Sequence, residues 1–217
     1  LHGNGCAAAD WALLRPYLTD GARALALDFA GHGASAAPAL PFTLADLAAD
    51  VLALLKARRL AGVILVGHSL GGMVGIAVAD RSPAVAGLVL VEGWTSRLAW
   101  PAFEGGQHMF GALPEATVAA ITAATARARE RITPARFAPY WQSLCAYDGY
   151  DMLGRLTIPV AEIYGTAGWQ GASAACLRIP DTPHITLHWI DGAGHFLLHE
   201  RPVEVARICR EMRARVA

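Results

Sequence analysis

The chain has 217 residues, of which 54% are hydrophobic and only 17% charged, enough for one domain with a sizeable core. Its 18 basic and 18 acidic side chains balance, so no basic face is forced and nucleic acid is excluded as an expected partner. No apolar run approaches the length of a membrane span, so no membrane partner is expected either.

The chain opens "LHGNG", a glycine-rich turn without an initiator methionine. Residues 22–28 ("ARALALD") read as a buried strand ending in the turn "DFAGHGAS". From Thr43 to Leu60 the apolar residues Leu44, Leu47, Val51, Leu54 and Leu55 follow helical spacing, and Thr43 is placed to cap the first turn. Residues 62–66 are short, continuous and rich in β-branched side chains, the pattern of a strand buried on both faces. A small-residue helix runs from Leu70 to about Asp80, and between it and the strand stands Ser69, in Gly67-His68-Ser69-Leu70-Gly71. This is a G-x-S-x-G elbow in the strand-before, helix-after context that it requires.

Residues 85–91 form the next strand, closed by Glu92-Gly93. The rhythm then breaks. Residues 94–150 carry a helix over 114–131 and an aromatic-rich stretch but no clear strand, and read as a helical insertion. Strands at 158–164 and 184–190 and a helix from Pro202 complete the chain. Strands alternating with helices imply a parallel, doubly wound sheet with right-handed crossovers. The domain division is therefore a core of 1–93 and 151–217, with a cap at 94–150. Cys6, Cys145, Cys176 and Cys209 show no C-x-x-C pairing. They read as buried free thiols, which fits a reducing, cytoplasmic location.

Four segments, "LHGNG", "DFAGHGAS", "GHSLGG" and "GAGHFLLHERP", together resemble the α/β-hydrolase superfamily, in the family's order and across nearly the whole chain. The resemblance implies a serine hydrolase acting on a small carboxylic ester, lactone or thioester, without a cofactor. Ser69 would be the nucleophile and His195, in the glycine-loosened loop after the last strand, its general base. The backbone N–H groups of Leu70 and Asn4 would form the oxyanion hole. His2, His32 and His68 read as structural, and His184 with His188 lacks a third metal ligand.

The acid departs from the family's usual pattern. Where a G-x-x-D is expected after the strand at 158–164, the chain reads Gly165-Thr166-Ala167-Gly168. Glu92, after the strand that follows the elbow helix, is the favoured substitute, a position that haloalkane dehalogenases in the family use. Asp151 and Asp181 are the alternatives, and Glu162 lies inside a strand. An idle, ligand-binding member of the fold is the competing reading. Trp94 and Trp141 are expected to line the substrate pocket. By the same resemblance Leu1 ends a strand lying between those at 22–28 and 62–66, so at least one apolar strand is expected upstream. Without it, two rows of backbone groups would go unpaired.

Overall fold

The computed structural model describes residues 1–18, 21, 23–103, 109–169 and 172–217. Ala22 of the expected first strand and residues 104–108 of the expected insertion lie outside them. Four strands, β1 (Val63–His68), β2 (Val85–Val91), β3 (Val160–Gly165) and β4 (Ile185–Ile190), form one sheet in the order β1-β2-β3-β4. Every neighbouring pair is parallel.

Helices cover both faces, as a parallel sheet demands. On one side Leu88, Leu90, Val160 and Tyr164 pack with α1 (Leu44–Ala57) and α2 (Leu70–Ala79). The alternate residues Val89, Val91, Ala161 and Ile163 pack with Val205, Ile208 and Met212 of the C-terminal helix (Pro202–Val216). Helix α2 is buried from Leu70 to Val78, because it sits between the sheet and α1 and has no solvent face. Helix α1 starts where Thr43 predicts it: Thr43 Oγ1 accepts from the Asp46 N–H, and the Asp46 carboxylate accepts from the Thr43 N–H at 2.8 Å.

The described residues between 94 and 150 hold a 3₁₀ segment (Arg97–Ala102) and helices α3 (Glu115–Glu130) and α4 (Pro134–Cys145). The latter was legible in sequence only as an aromatic-rich stretch. Both ends of this segment meet in an isolated antiparallel bridge, Ser96 to Asp148. Helix α5 (Tyr150–Arg155) then leads back to β3, and the short α6 (Leu197–Glu200) precedes the C-terminal helix α7 (Pro202–Val216).

Two expectations are corrected. Residues 23–28 form no strand, and Leu25 is 59% exposed. A strand exists only where a neighbour completes its ladder, and among the described residues the outer edge of β1 is met by Leu1: its amino group donates to Val66 O at 2.7 Å, and the His68 N–H donates to Leu1 O at 3.0 Å. The four thiols are free, but only Cys6 and Cys209 are buried. Cys145 and Cys176 are exposed. Among the described residues no helix is long and apolar enough to cross a membrane.

Candidate active site

Ser69 is the single residue between β1 and α2, with φ 52° and ψ −119°. Such a conformation costs on the order of 1–3 kcal/mol in a residue bearing a side chain. The glycines around it are there because neighbouring atoms, backbone at Gly67, Gly71 and Gly72 and side chains at Gly3, pass too close for a Cβ. One added at Gly67 would lie 2.3 Å from Gly71 O, and one at Gly71 2.2 Å from Leu1 O. At Gly72 it would lie 2.3 Å from Gly93 Cα, and at Gly3 3.3 Å from Ser69 Cβ itself. The "LHGNG" loop is thus pressed against the elbow. The Ser69 N–H donates to Val91 O at 3.0 Å, which fixes the elbow to β2. The half-buried Ser69 hydroxyl hydrogen-bonds to no described residue, so it is not joined to His195 in this structure.

His195 lies beside the elbow in the loop after β4. His68 Nε2 donates to the His195 carbonyl at 2.9 Å, and the two rings are 4.9 Å apart. His195 Nδ1 faces Glu92 Oε2 at 3.2 Å. The carboxylate is held in turn by the Gly165 N–H, which donates to Oε1 at 2.7 Å, and the Trp169 indole N–H, which donates to Oε2 at 3.0 Å. Burial pushes His195 down to about 4, so its imidazole is neutral and able to accept a proton at neutral pH. Burial is the larger effect on the Glu92 carboxyl and raises it to about 8, its N–H donors only partly offsetting this. Every contact that Glu92 makes is with a nitrogen able to donate, which is what an ionised carboxylate requires.

Gly168 cannot carry the acid. A Cβ there would sit 2.4 Å from the Phe103 ring. Asp151 lies in the first turn of α5 and Asp181 in the segment before β4, and neither contacts His195. Of the five non-glycine residues with positive φ among the described residues, three are Ser69, Glu92 and Trp94. Strained backbone concentrated in one place is a mark of a functional site.

The Asn4 and Leu70 N–H groups hydrogen-bond to no described acceptor. The Asn4 side chain is also fixed: its Oδ1 accepts from the Tyr140 hydroxyl at 2.8 Å, tying the first loop to α4. Trp94 is buried and touches His195 edge-on at 5.9 Å, within a cluster that includes Trp100, Phe103 and Trp169. Trp141 is not brought to this cluster: it is 39% exposed and stacks on Phe137.

Three further histidines support the scaffold. The Phe29 N–H donates to His2 Nε2 at 2.9 Å, His32 Nδ1 faces Ala30 O at 3.0 Å, and His184 contacts Thr182 and Leu153. No group of three or more side chains among the described residues could hold a metal ion. Sequence reading missed Trp169 as a holder of Glu92. The only hint was its place directly after the glycine that stands where the acid usually does.

The sequence pattern of the Alpha/beta hydrolase family matches residues 1–208. Among curated proteins, the chain is 37% identical over 97 residues to a putative carbamate hydrolase RutD of Klebsiella pneumoniae, covering 43% of this chain and 36% of the relative. It is 44% identical over 96 residues to that of Variovorax paradoxus, with the same coverage. The matched region therefore spans about a third of those relatives' length. Among solved structures, the esterase RhEst1 from a Rhodococcus superposes with a TM-score of 0.75 at 24% identity, covering 100% of this chain and 90% of that one. The haloalkane dehalogenase variant DbeA-M1 from Bradyrhizobium elkanii gives 0.73 at 20% identity, covering 100% and 89%. At such identities these likenesses speak to the fold alone. The family pattern, running through the elbow, Glu92 and His195, shows that this chain belongs to the alpha/beta hydrolase family.

Proposed function

We propose that the protein is a serine hydrolase that cleaves a small carboxylic ester, lactone or thioester through an acyl-serine intermediate, with residues 94–150 acting as a cap. The observation that carries this reading is the Glu92–His195 contact at 3.2 Å, beside a strained serine elbow. The contact favours this reading over that of an idle fold, which the glycine at 168 suggests. Ser69 Oγ attacks the substrate carbonyl carbon while His195 Nε2 takes its proton. Glu92 accepts from His195 Nδ1–H, which holds the imidazole in the tautomer that leaves Nε2 free and stabilises the imidazolium that forms. The Leu70 and Asn4 N–H groups receive the negative charge on the carbonyl oxygen. His195 then gives its proton to the leaving oxygen or sulfur. Water, deprotonated by His195, releases the acid and restores Ser69. Trp94 and its aromatic neighbours form an apolar wall beside His195, suited to a small acyl or aromatic group, and Trp141 is retained as a candidate contact at the outer surface of the cap.

The test is a short-chain chromogenic acetate together with a serine-directed phosphonate. The wild-type protein turns over the ester and is labelled at Ser69. Ser69→Ala folds, does neither, and keeps its circular dichroism spectrum. Retained hydrolysis in Ser69→Ala overturns the mechanism.

A further inference from the structure

Strand β3 is buried at all six positions, and in its middle stands a carboxyl, Glu162, 0% exposed. Its register partner on β2 is Leu90, so it lies on the same sheet face as Leu90 and Tyr164, inside the core below α2. A carboxyl at such a place is costly and needs a reason. Oε1 accepts from the Thr95 hydroxyl at 2.9 Å, while Oε2 makes no well-aligned hydrogen bond and the Tyr164 hydroxyl is the other polar group against the carboxyl.

Thr95 ends an unusual turn. Glu92 and Trp94 have φ of 48° and 49°, and a Cβ on Gly93 between them would lie 2.8 Å from Leu90 Cβ. The turn is pinned at its start by the Glu92 N–H, which donates to Ile163 O at 2.8 Å. Thr95, 0% exposed, pins its end: its carbonyl accepts from the Gly149 N–H at 2.8 Å and its hydroxyl reaches Glu162. Two residues of positive φ on either side of one glycine persist only when both flanks are held. The ionisable groups facing Glu162 are Glu92 at the end of β2, Tyr164 on its own strand and Tyr147 after α4. None of them is a cation. Two buried carboxyls without a cation between them do not both ionise, and Glu92, with the larger set of N–H contacts, is the one suited to the charge.

We propose that Glu162 is a positioning residue which, as a neutral group and through the Thr95 hydroxyl, holds the Glu92–Trp94 turn so that the Glu92 carboxylate meets His195. This rests on the serine-hydrolase reading above, and it assigns a part of the site that acts without touching substrate. It accounts for the retention of a carboxyl in an otherwise apolar strand.

The test compares Glu162→Gln, Glu162→Leu and Thr95→Val in the full chain. A shift of the Glu92 turn by about 1 Å is enough to lower turnover about 10²-fold. Glu162→Leu and Thr95→Val are expected to show that loss in kcat with KM within about twofold, and the double variant is no worse than either, because both remove one link. Glu162→Gln keeps the acceptor and restores kcat to within about threefold of the wild type. Should Glu162→Leu fail to fold, the Thr95→Val arm, which leaves the core carboxyl in place, decides the question. Wild-type kcat in Thr95→Val or Glu162→Leu, or a Gln variant as impaired as Leu, overturns the proposal. The imidazole N–H resonance of His195 is a second readout, shifting in Thr95→Val and not in Glu162→Gln. A wild-type protein that neither turns over ester nor labels at Ser69 defeats the hydrolase reading instead. The His195 resonance still decides the role of Glu162 in that case.

Discussion

Replacing Glu92 by glutamine changes one oxygen to an NH₂ and leaves the volume nearly unchanged, so its effect follows from hydrogen-bond geometry. The carboxylate serves three nitrogens: Gly165 N at 2.7 Å on Oε1, and Trp169 Nε1 at 3.0 Å with His195 Nδ1 at 3.2 Å on Oε2. Glutamine has one acceptor oxygen. If that oxygen takes the Oε2 place, the amide faces the Gly165 N–H and leaves a buried donor unsatisfied, a cost of about 1–3 kcal/mol. For a chain of this size that is a fall in Tm of about 2–4 °C for each kcal/mol. If the amide takes the Oε2 place instead, His195 Nδ1 must accept, its proton moves to Nε2 and the base is lost. A tautomer error of that kind costs about 10⁴ in kcat in the chymotrypsin template. The expected outcome is a fall of about 10²–10⁴ in kcat, with the smaller value if the first orientation prevails. Initial rates on the chromogenic acetate, thermal denaturation and phosphonate labelling of Ser69 measure it together. A variant with wild-type kcat and labelling, whatever its Tm, refutes the role of Glu92.

Trp169→Phe keeps the ring contacts and removes one N–H from the carboxylate. It should lower kcat by about tenfold and stability by about 1–2 kcal/mol, and an unchanged kcat would show that Gly165 alone suffices. Gly168→Asp puts a carboxylate where the family most often has one, but its Cβ would meet the Phe103 ring at 2.4 Å. The variant is expected to lose about 1–3 kcal/mol and gain no activity, and an activity gain in the Glu92→Gln background would contradict this. Burial pushes His2 and His195 down to about 4 and His68 to about 3, so the fold favours their neutral forms. The unfolded chain binds protons first, near pH 6.5. The stability these groups contribute is therefore complete above that pH and is lost as pH falls toward 4 and 3. The distance from 6.5 to about 4 is worth about 3 kcal/mol for one histidine at full burial. Urea midpoints should fall steeply between pH 6.5 and 4, less so in His195→Asn, and a flat profile would show these sites to be hydrated. The raised carboxyls Glu92 and Glu162 act in the opposite sense, losing stability as pH rises above 4.5.

Much of this protein was legible before folding was considered. The strand at 85–91, the Thr43-capped helix, the elbow and the parallel alternation follow from local periodicity and from steric demands that glycine alone meets, and both are written residue by residue. Ser69 could be singled out for the same reason, whereas His195 and Glu92 are pointed to by the resemblance to the α/β-hydrolase superfamily. What local pattern could not supply is the partner of each group. Residues 23–28 have the composition of a strand and no ladder, because a ladder belongs to two segments. Trp141 is as aromatic as Trp94, yet one lies against Phe137 near solvent and the other against His195, since a ring's neighbours depend on the angle at which its helix or turn is docked. Only the packed molecule places the Trp169 indole on Glu92, the Phe103 ring over Gly168 and the Glu162 carboxyl under Thr95. Each of those contacts joins residues far apart in the chain. Distance, burial and hydrogen-bond direction exist for them only once the sheet has brought the chain together.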